Sequence, residues 1–376
     1  MINPFLTAGY AGPKYFCDRI QETQDITDML VNENNLALIS PRRIGKTELI
    51  THVFNQPRIK EEYYCFLIDI YSTTSLRDFV NVFGKAVVDV LRSRGRKAWE
   101  LFVNAMSSLR TEISFDINGN PVWGMGLGAI NNPEVTLDEI FRYLSMADKP
   151  CLVAIDEFQQ ITKYSDGANV EATLRTYIQR CTNAHFVFSG SQRSMMGEIF
   201  LSPSRPFYQS VTIMNLQPIP YDKYLEFVKD KFEMEGKRID ETVVADLYER
   251  FDAVTSYMHR VLNVLFAKTS KGEWCGKEEI DEAVGYILRL SSDTYESLFY
   301  QMPEKQRNVF MAIAKEGKAQ GVTSGAFVKK YRLPSPSSVS SAIKGLLEKE
   351  FITVDKNVYT VYDQFFVLWM RMKGVI

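Results

Sequence analysis

Short apolar runs alternate with stretches of helical period along the first half of the chain. Leu36–Ser40 reads as a first strand, and Thr47–Phe54 begins the helix after it. Tyr64–Tyr71 reads as a second strand, Cys151–Ile155 as a third, Ala184–Ser189 as a fourth and Val211–Leu216 as a fifth. Between the second and third, Leu76–Ser93 puts Phe79, Val80, Phe83, Val87, Val90 and Leu91 on one side of a helix. Strands this continuously apolar, separated by helices, predict an α/β fold whose parallel sheet is covered on both faces. Glu112–Ile117 and Val122–Met125 flank Asn118-Gly119-Asn120-Pro121 and predict a β-hairpin, at about residues 111–127, inserted on the sheet rather than into it.

After Pro218 the period turns helical. Tyr221–Glu235, Asp240–Phe251, Ser256–Ser270 and Lys277–Tyr300 predict four helices, with Asp240 and Ser256 as N-caps. The last segment changes again. Helices are expected at Glu304–Lys315, Ser324–Tyr331 (capped by Thr323 or Ser324) and Ser337–Lys349, then a two-strand ribbon at Phe351–Val354 and Val358–Val361. Three helices and a ribbon follow the winged-helix plan. The expected division is 1–218, 219–300 and 301–376.

Composition narrows the partners. The 376 residues carry a net charge of −2 with 45% apolar residues, ordinary for a globular protein and no signature of a general nucleic-acid binder. From Pro303 to Ile376, however, 12 Lys/Arg stand against 6 Asp/Glu, a local +6 that leaves −8 elsewhere. A basic tail on an acidic body permits a polyanionic partner for the tail, or is a solvated basic surface. The five cysteines are scattered without metal-ligand spacing and fit buried thiols in a reducing cytoplasm. Three separated histidines argue against a histidine-based metal site. No signal peptide is visible, and no apolar stretch reaches membrane-spanning length.

The candidate chemistry starts at the end of the first strand. Ser40-Pro41-Arg42-Arg43-Ile44-Gly45-Lys46-Thr47 matches the G-x-x-x-x-G-K-[ST] phosphate loop except at its first glycine, here Ser40. In such a loop backbone N–H groups and a helix N-terminus meet phosphate, Lys46 supplies charge and Thr47 a hydroxyl for Mg²⁺. A strand–helix turn that merely contains Gly-Lys-Thr is the alternative. The third strand ends in Asp156-Glu157, and paired carboxylates at a buried strand end are costly without a cation nearby. With that strand beside the loop, Asp156 would orient the metal's water shell and Glu157 would act as general base. The fourth strand ends in Ser189-Gly190-Ser191-Gln192-Arg193, where Ser191 or Gln192 would sense the γ-phosphate, or the segment is an ordinary Gly-Ser turn.

Together these segments resemble the archaeal-type P-loop ATPases, of the AAA+/STAND group and related to origin-recognition ATPases. The resemblance covers essentially the whole chain. Tyr15–Glu22 is similar to the family's opening Phe-x-x-Arg-x-x-Glu box, Ser40–Thr47 to its Pro-Arg-Arg-x-Gly-Lys-Thr loop and Cys151–Glu157 to its metal strand. Ser189–Ser191 is similar to its Gly-Ser sensor, Phe251–Asn263 to its lid helix and Tyr362–Trp369 to its closing signature. The resemblance implies a P-loop NTPase sheet of AAA+/ASCE type, a helical lid domain and a winged-helix domain. It implies ATP and Mg²⁺ as ligands and ATP hydrolysis driving a switch; the alternative is a DNA-binding regulator or a signalling scaffold that uses ATP mainly as a structural ligand.

It also implies site residues. Phe16 and Arg19 would lie near the adenine, or Arg19 would only pair with Glu22 across a helical turn. Ser40, Pro41, Arg42, Arg43, Ile44, Gly45, Lys46, Thr47 and Glu48 would surround the phosphates. The family's lid often begins Gly-x-Pro; Asp252–Tyr257 has neither residue, and His259 or Arg260 is the candidate second sensor. Arg193 and Arg205 would stabilise charge, in cis or across an oligomer, or fasten loops; Arg43 is open to either role. On Ser337–Lys349, Val339, Ile343, Leu346 and Leu347 should be core, while Ser338, Ser341, Lys344 and Gly345 face away. That face suits DNA phosphates, with Lys329, Lys330 and Arg332 just before it in reach of the backbone, but Ser337–Lys349 itself offers no Arg, Asn or Gln for base edges, so DNA contact and protein docking both stay open.

Overall fold

The computed structural model describes residues 3–92, 96–106, 113–115, 121–123 and 132–376. The chain forms two compact units, Ala8–Ile219 and Met1–Thr7 with Pro220–Ile376.

The first unit is built on five parallel strands: β1 (Leu36–Ile39), β2 (Tyr64–Asp69), β3 (Cys151–Asp156), β4 (Ala184–Gly190) and β5 (Thr212–Asn215). Their order is β2-β3-β4-β1-β5. The three central strands are buried along their whole length, which is why their sequences are unbroken apolar runs. The edge strand β2 alternates instead. Helices Leu76–Arg92 and Pro133–Met146 contribute Phe79, Phe83, Leu137 and Ile140 to the core. Around Phe158, just past β3, Phe188, Phe200 and Phe207 pack with ring centroids 4.6–5.8 Å away. Those rings anchor the backbone next to Asp156 and Glu157.

The order corrects one expectation. β3 is not beside β1, because β4 lies between them. Strand order follows from how the crossovers run, and local hydrophobic pattern carries no record of it. The consequence is chemical: the Ser189–Ser191 end of β4 stands between the loop after β1 and the carboxylates after β3.

The hairpin pairs Ile113–Phe115 with Pro121–Trp123 antiparallel, as a sheet of its own. The rest of the predicted hairpin, about 111–127, lies outside the described residues.

The second unit starts with four helices: Tyr221–Glu233, Glu241–Arg250, Thr255–Lys268 and Glu279–Gln301. Asp240 caps the second through the N–H of Thr242 at 2.8 Å. Ser256 does not cap the third. That helix already includes Thr255, and Val254 occupies the cap position without a side-chain bond. Helices Glu304–Glu316, Gly325–Lys330 and Pro336–Glu348 and the antiparallel ribbon Ile352–Asp355/Val358–Val361 make the winged helix. Ser324 and Ser335 cap the second and third of these helices. The closing signature is itself a helix, Gln364–Met372. It packs Phe366 on Tyr295 (4.9 Å) and donates Trp369 Nε1–H to Ser292 Oγ (3.1 Å), fastening the winged helix to Glu279–Gln301.

The N-terminal residues belong to this unit as well. Phe5 is fully buried among Phe227, Phe232, His259 and Phe266. Asn3 Nδ2 donates to the Asn263 carbonyl and Asn263 Nδ2 to the Phe5 carbonyl, both at 2.9 Å. Among the described residues, no helix is long and apolar enough to cross a membrane.

Candidate active site

The chain leaves the buried end of β1 at Ser40, whose N–H donates to the Gly190 carbonyl (3.3 Å) and whose Oγ donates to the Pro41 carbonyl (3.0 Å). Ser40 is fully buried and its φ is not positive. A glycine is therefore not required by the backbone there, and the serine fits the turn without strain. Gly45 is different. Its φ of 93° lies in the left-handed region that favours glycine, and it opens the helix Lys46–Phe54. Arg43 accepts a similar φ of 69°.

Lys46 is buried and its Nζ donates to the carbonyls of Ser40 (3.3 Å) and Pro41 (3.2 Å), so it folds back over the loop. Burial lowers its pKa, and the charges of Glu157 and Asp156 oppose that shift. Burial also raises the pKa of Glu48, in the first turn of the same helix.

Asp156 ends β3 facing this loop. Its Oδ2 accepts from Thr47 Oγ1 at 2.5 Å, and its Oδ1 accepts from the N–H of Glu157 at 3.0 Å. Glu157 has a φ of 55°, uncommon for a non-glycine residue and of the kind that clusters at functional sites. That conformation ends the strand and swings the side chain toward β4. There Glu157 Oε2 accepts from Ser191 Oγ (2.6 Å) and from Gln159 Nε2. Arg42 of the loop donates Nε–H to Ser191 Oγ (3.0 Å), lies 3.9 Å from Glu157 Oε1 and stacks its guanidinium 5.2 Å from the Tyr71 ring centroid. Loop, carboxylates and Ser191 thus form one connected cluster.

The opening box reaches the loop from the other side. Arg19, buried with a φ of 64°, pairs with Glu22 at 2.6 Å and directs Nη2 at the Ile44 carbonyl (3.4 Å). The helical-turn pair and the loop contact coexist. Phe16 stacks on His52 at 4.2 Å, and Tyr10 Oη bonds His52 Nδ1 at 2.8 Å. Burial lowers the pKa of His52.

Other expected residues are placed elsewhere. His259, in the second unit, is 8% exposed and walled by Phe5, Tyr224 and Phe227, with Nδ1 against the Leu6 carbonyl at 3.1 Å. Burial pushes its pKa down to about 4. Arg260 bonds Ser291 and stacks on Phe365. Arg205 pairs with Glu171 (2.6 Å) and Glu198 (3.3 Å), which lie on the helices Gly167–Arg180 and Arg193–Leu201. Arg193 opens the helix Arg193–Leu201 directly after Gln192. Gly345, expected on an outward face, sits at a helix contact: a Cβ there would come 2.3 Å from Gln306 Nε2.

Three residues of the site gave no motif. Gln159, Tyr10 and His52 are brought in by the fold, and no pattern in the sequence singles them out.

Comparison with known proteins fits this geometry. A family model described as "ATPase domain predominantly from Archaea" matches residues 16–264, about two thirds of the chain. The chain belongs to this ATPase family. A second model, described as "Probable winged helix domain", matches residues 293–372 of the same ATPase-family chain. No curated protein matches it. Among solved structures, it is similar to the Walker-type ATPase PABY2304 of Pyrococcus abyssi, at 16% identity and a TM-score of 0.64, covering 98% of this chain and 99% of that one. It is also similar to the ORC2 protein of Aeropyrum pernix in its ADPNP–ADP complexes (12%, TM-score 0.58, 100% and 98% covered). A third similarity is to the ORC1 protein of Aeropyrum pernix in complex with DNA (14%, TM-score 0.55, 99% and 97% covered). At these identities the likeness is one of fold: a P-loop ATPase sheet with a C-terminal winged helix.

Proposed function

We propose that this ATPase-family chain binds Mg-ATP, hydrolyses it and works as a nucleotide-driven switch. The observation that carries the reading is the single cluster joining Lys46, the Thr47–Asp156 pair and Glu157. Those groups fit the ligand. A buried lysine and a helix N-terminus suit phosphate, and a hydroxyl 2.5 Å from a carboxylate at a buried strand end is a donor set for a hard cation. Mg²⁺, when bound, would neutralise phosphate charge; Thr47 and Asp156 would hold it.

The chain's own residues do the rest. Loop N–H groups of Arg42–Thr47 and Lys46 hold the phosphates, with Glu48 in the first turn behind them. Glu157 takes a proton from water, the water oxygen bonds the γ-phosphorus, the bond to the bridging oxygen breaks and ADP leaves. Ser191 orients Glu157 and senses the terminal phosphate. Phe16, with Tyr10 and His52 around it, and Arg19 flank the base. Arg193 supplies positive charge near the sensor. The segment 219–300 serves as lid, 301–376 as the element whose position follows nucleotide, and the chain works in the cytoplasm, with oligomer formation tied to nucleotide.

Steady-state phosphate release from Mg-ATP, with Lys46→Ala and Glu157→Gln as controls, tests this. Turnover unchanged in both variants would contradict it.

One observation favours a second role, DNA contact through the winged helix. Val339, Ile343 and Leu346 are buried while Ser341 and Lys344 are exposed beside exposed Lys329 and Arg332. Binding to duplex DNA that falls steeply with salt and disappears on charge reversal at Lys344 is expected. No retention at low salt would leave protein docking as the role of this face.

A further inference from the structure

Gln159 is 2% exposed and lies two residues beyond Glu157, directly after Phe158. Its amide meets the two polar groups that matter most in the cluster. Nε2 donates to Glu157 Oε2 and lies 3.5 Å from Ser191 Oγ. The orientation follows from chemistry, because an ionised carboxylate only accepts and the amide must turn its NH₂ toward it. The amide oxygen is then directed into the protein, buried and without a hydrogen-bond partner. Room for it is made at the end of β4: a Cβ on Gly190 would fall 2.6 Å from Gln159 Oε1 and 2.3 Å from Met196 Sδ. A buried amide that leaves its own carbonyl unpaired is costly, so a core filler would do better as a leucine or methionine.

We infer that Gln159 is a positioning residue for hydrolysis. With Ser191 it saturates Oε2 of Glu157, so the carboxylate plane is fixed and Oε1 is the oxygen that accepts the proton of water. This rests on the hydrolysis reading above and adds to it a residue outside the phosphate loop, the metal pair and the sensor. Gln159 acts through Glu157 and not on the nucleotide. Its loss should change turnover and leave binding alone.

The test is steady-state phosphate release from Mg-ATP by the full chain, with nucleotide affinity measured by a fluorescent ADP analogue. Wild type, Glu157→Gln, Gln159→Leu and Gln159→Glu are compared between about pH 5 and pH 8. Gln159→Leu should lower kcat about tenfold, with analogue affinity within about twofold of wild type. Gln159→Glu should be more damaged than Gln159→Leu at the alkaline end, where two carboxylates face each other. Its activity relative to wild type should climb as pH falls and the new carboxyl becomes a donor. Retained analogue binding shows that each variant is folded. Turnover in wild type, abolished in Glu157→Gln but unchanged in Gln159→Leu, would overturn the inference and leave the hydrolysis reading standing. So would a Gln159→Glu ratio flat with pH, or equal losses of affinity and kcat. A wild type without turnover would overturn both.

Discussion

The crevice at the carboxyl ends of β1, β3 and β4 and the outward face of helix Pro336–Glu348 both gather polar side chains, and they differ in what holds them. In the crevice Lys46 and Asp156 are each less than a tenth exposed and have specific partners. On the winged helix Lys344 is exposed, and its pairing with Glu348 is at 4.0 Å, one turn along the same helix. Burying a polar group is expensive unless its hydrogen bonds are made, so the crevice admits few arrangements and its geometry speaks to one chemistry. Surface charge costs little, so the helix face is compatible with DNA or a protein. His259 marks the limit of the contrast. It is as buried as Lys46, yet it meets aromatic rings and one carbonyl, and burial alone does not make a site.

The comparison can be broken at several points. In the crevice the test is at the buried charge: Lys46→Ala should weaken nucleotide binding at least about tenfold, or about 1.4 kcal/mol, read by titration with a fluorescent analogue. Undiminished affinity would place the phosphates elsewhere. In the other unit the strongest anchor is apolar. Phe5→Ala should destabilise Pro220–Ile376 by about 3–5 kcal/mol, seen as an early transition in thermal unfolding. A single unshifted transition would mean that the N-terminal segment contributes little.

His259 sharpens the contrast through pH. Its folded pKa of about 4 lies below its ordinary 6.5, so its contribution is complete above pH 6.5 and is lost as pH falls toward 4. The full swing is about 3 kcal/mol. His259→Leu should flatten the pH dependence of unfolding across that window, and an unchanged slope would refute the burial argument. The smallest effect is expected at the exposed face: Lys344→Glu should cost at most about 1 kcal/mol in stability while reducing any salt-sensitive DNA retention. A large loss of stability would show that Lys344 is structural.

These differences also explain what could be read in advance. Continuous apolar runs revealed β1, β3 and β4 because those strands are buried on both faces, and Gly45-Lys46-Thr47 and Asp156-Glu157 stood at their ends. Strand order was not legible, since β4 enters between β1 and β3 through crossovers that leave no local mark. Gln159, Tyr10 and His52 were missed for the same reason: their partners are set by tertiary placement. The burial of His259 was not legible either, because a histidine on a helix looks the same in sequence whether it faces solvent or Phe5. The segment before residue 8 gave no periodic signal, being too short to show one, and Asn3 and Phe5 are fastened by hydrogen bonds to the distant Asn263.

The most direct test is to measure phosphate release and nucleotide affinity side by side for wild type and Glu157→Gln. The account predicts Mg-dependent turnover in wild type, a loss of about 10²–10⁴-fold in Glu157→Gln and near-equal affinities. Equal turnover in the two proteins, or no turnover in wild type that binds Mg-ATP, would contradict it.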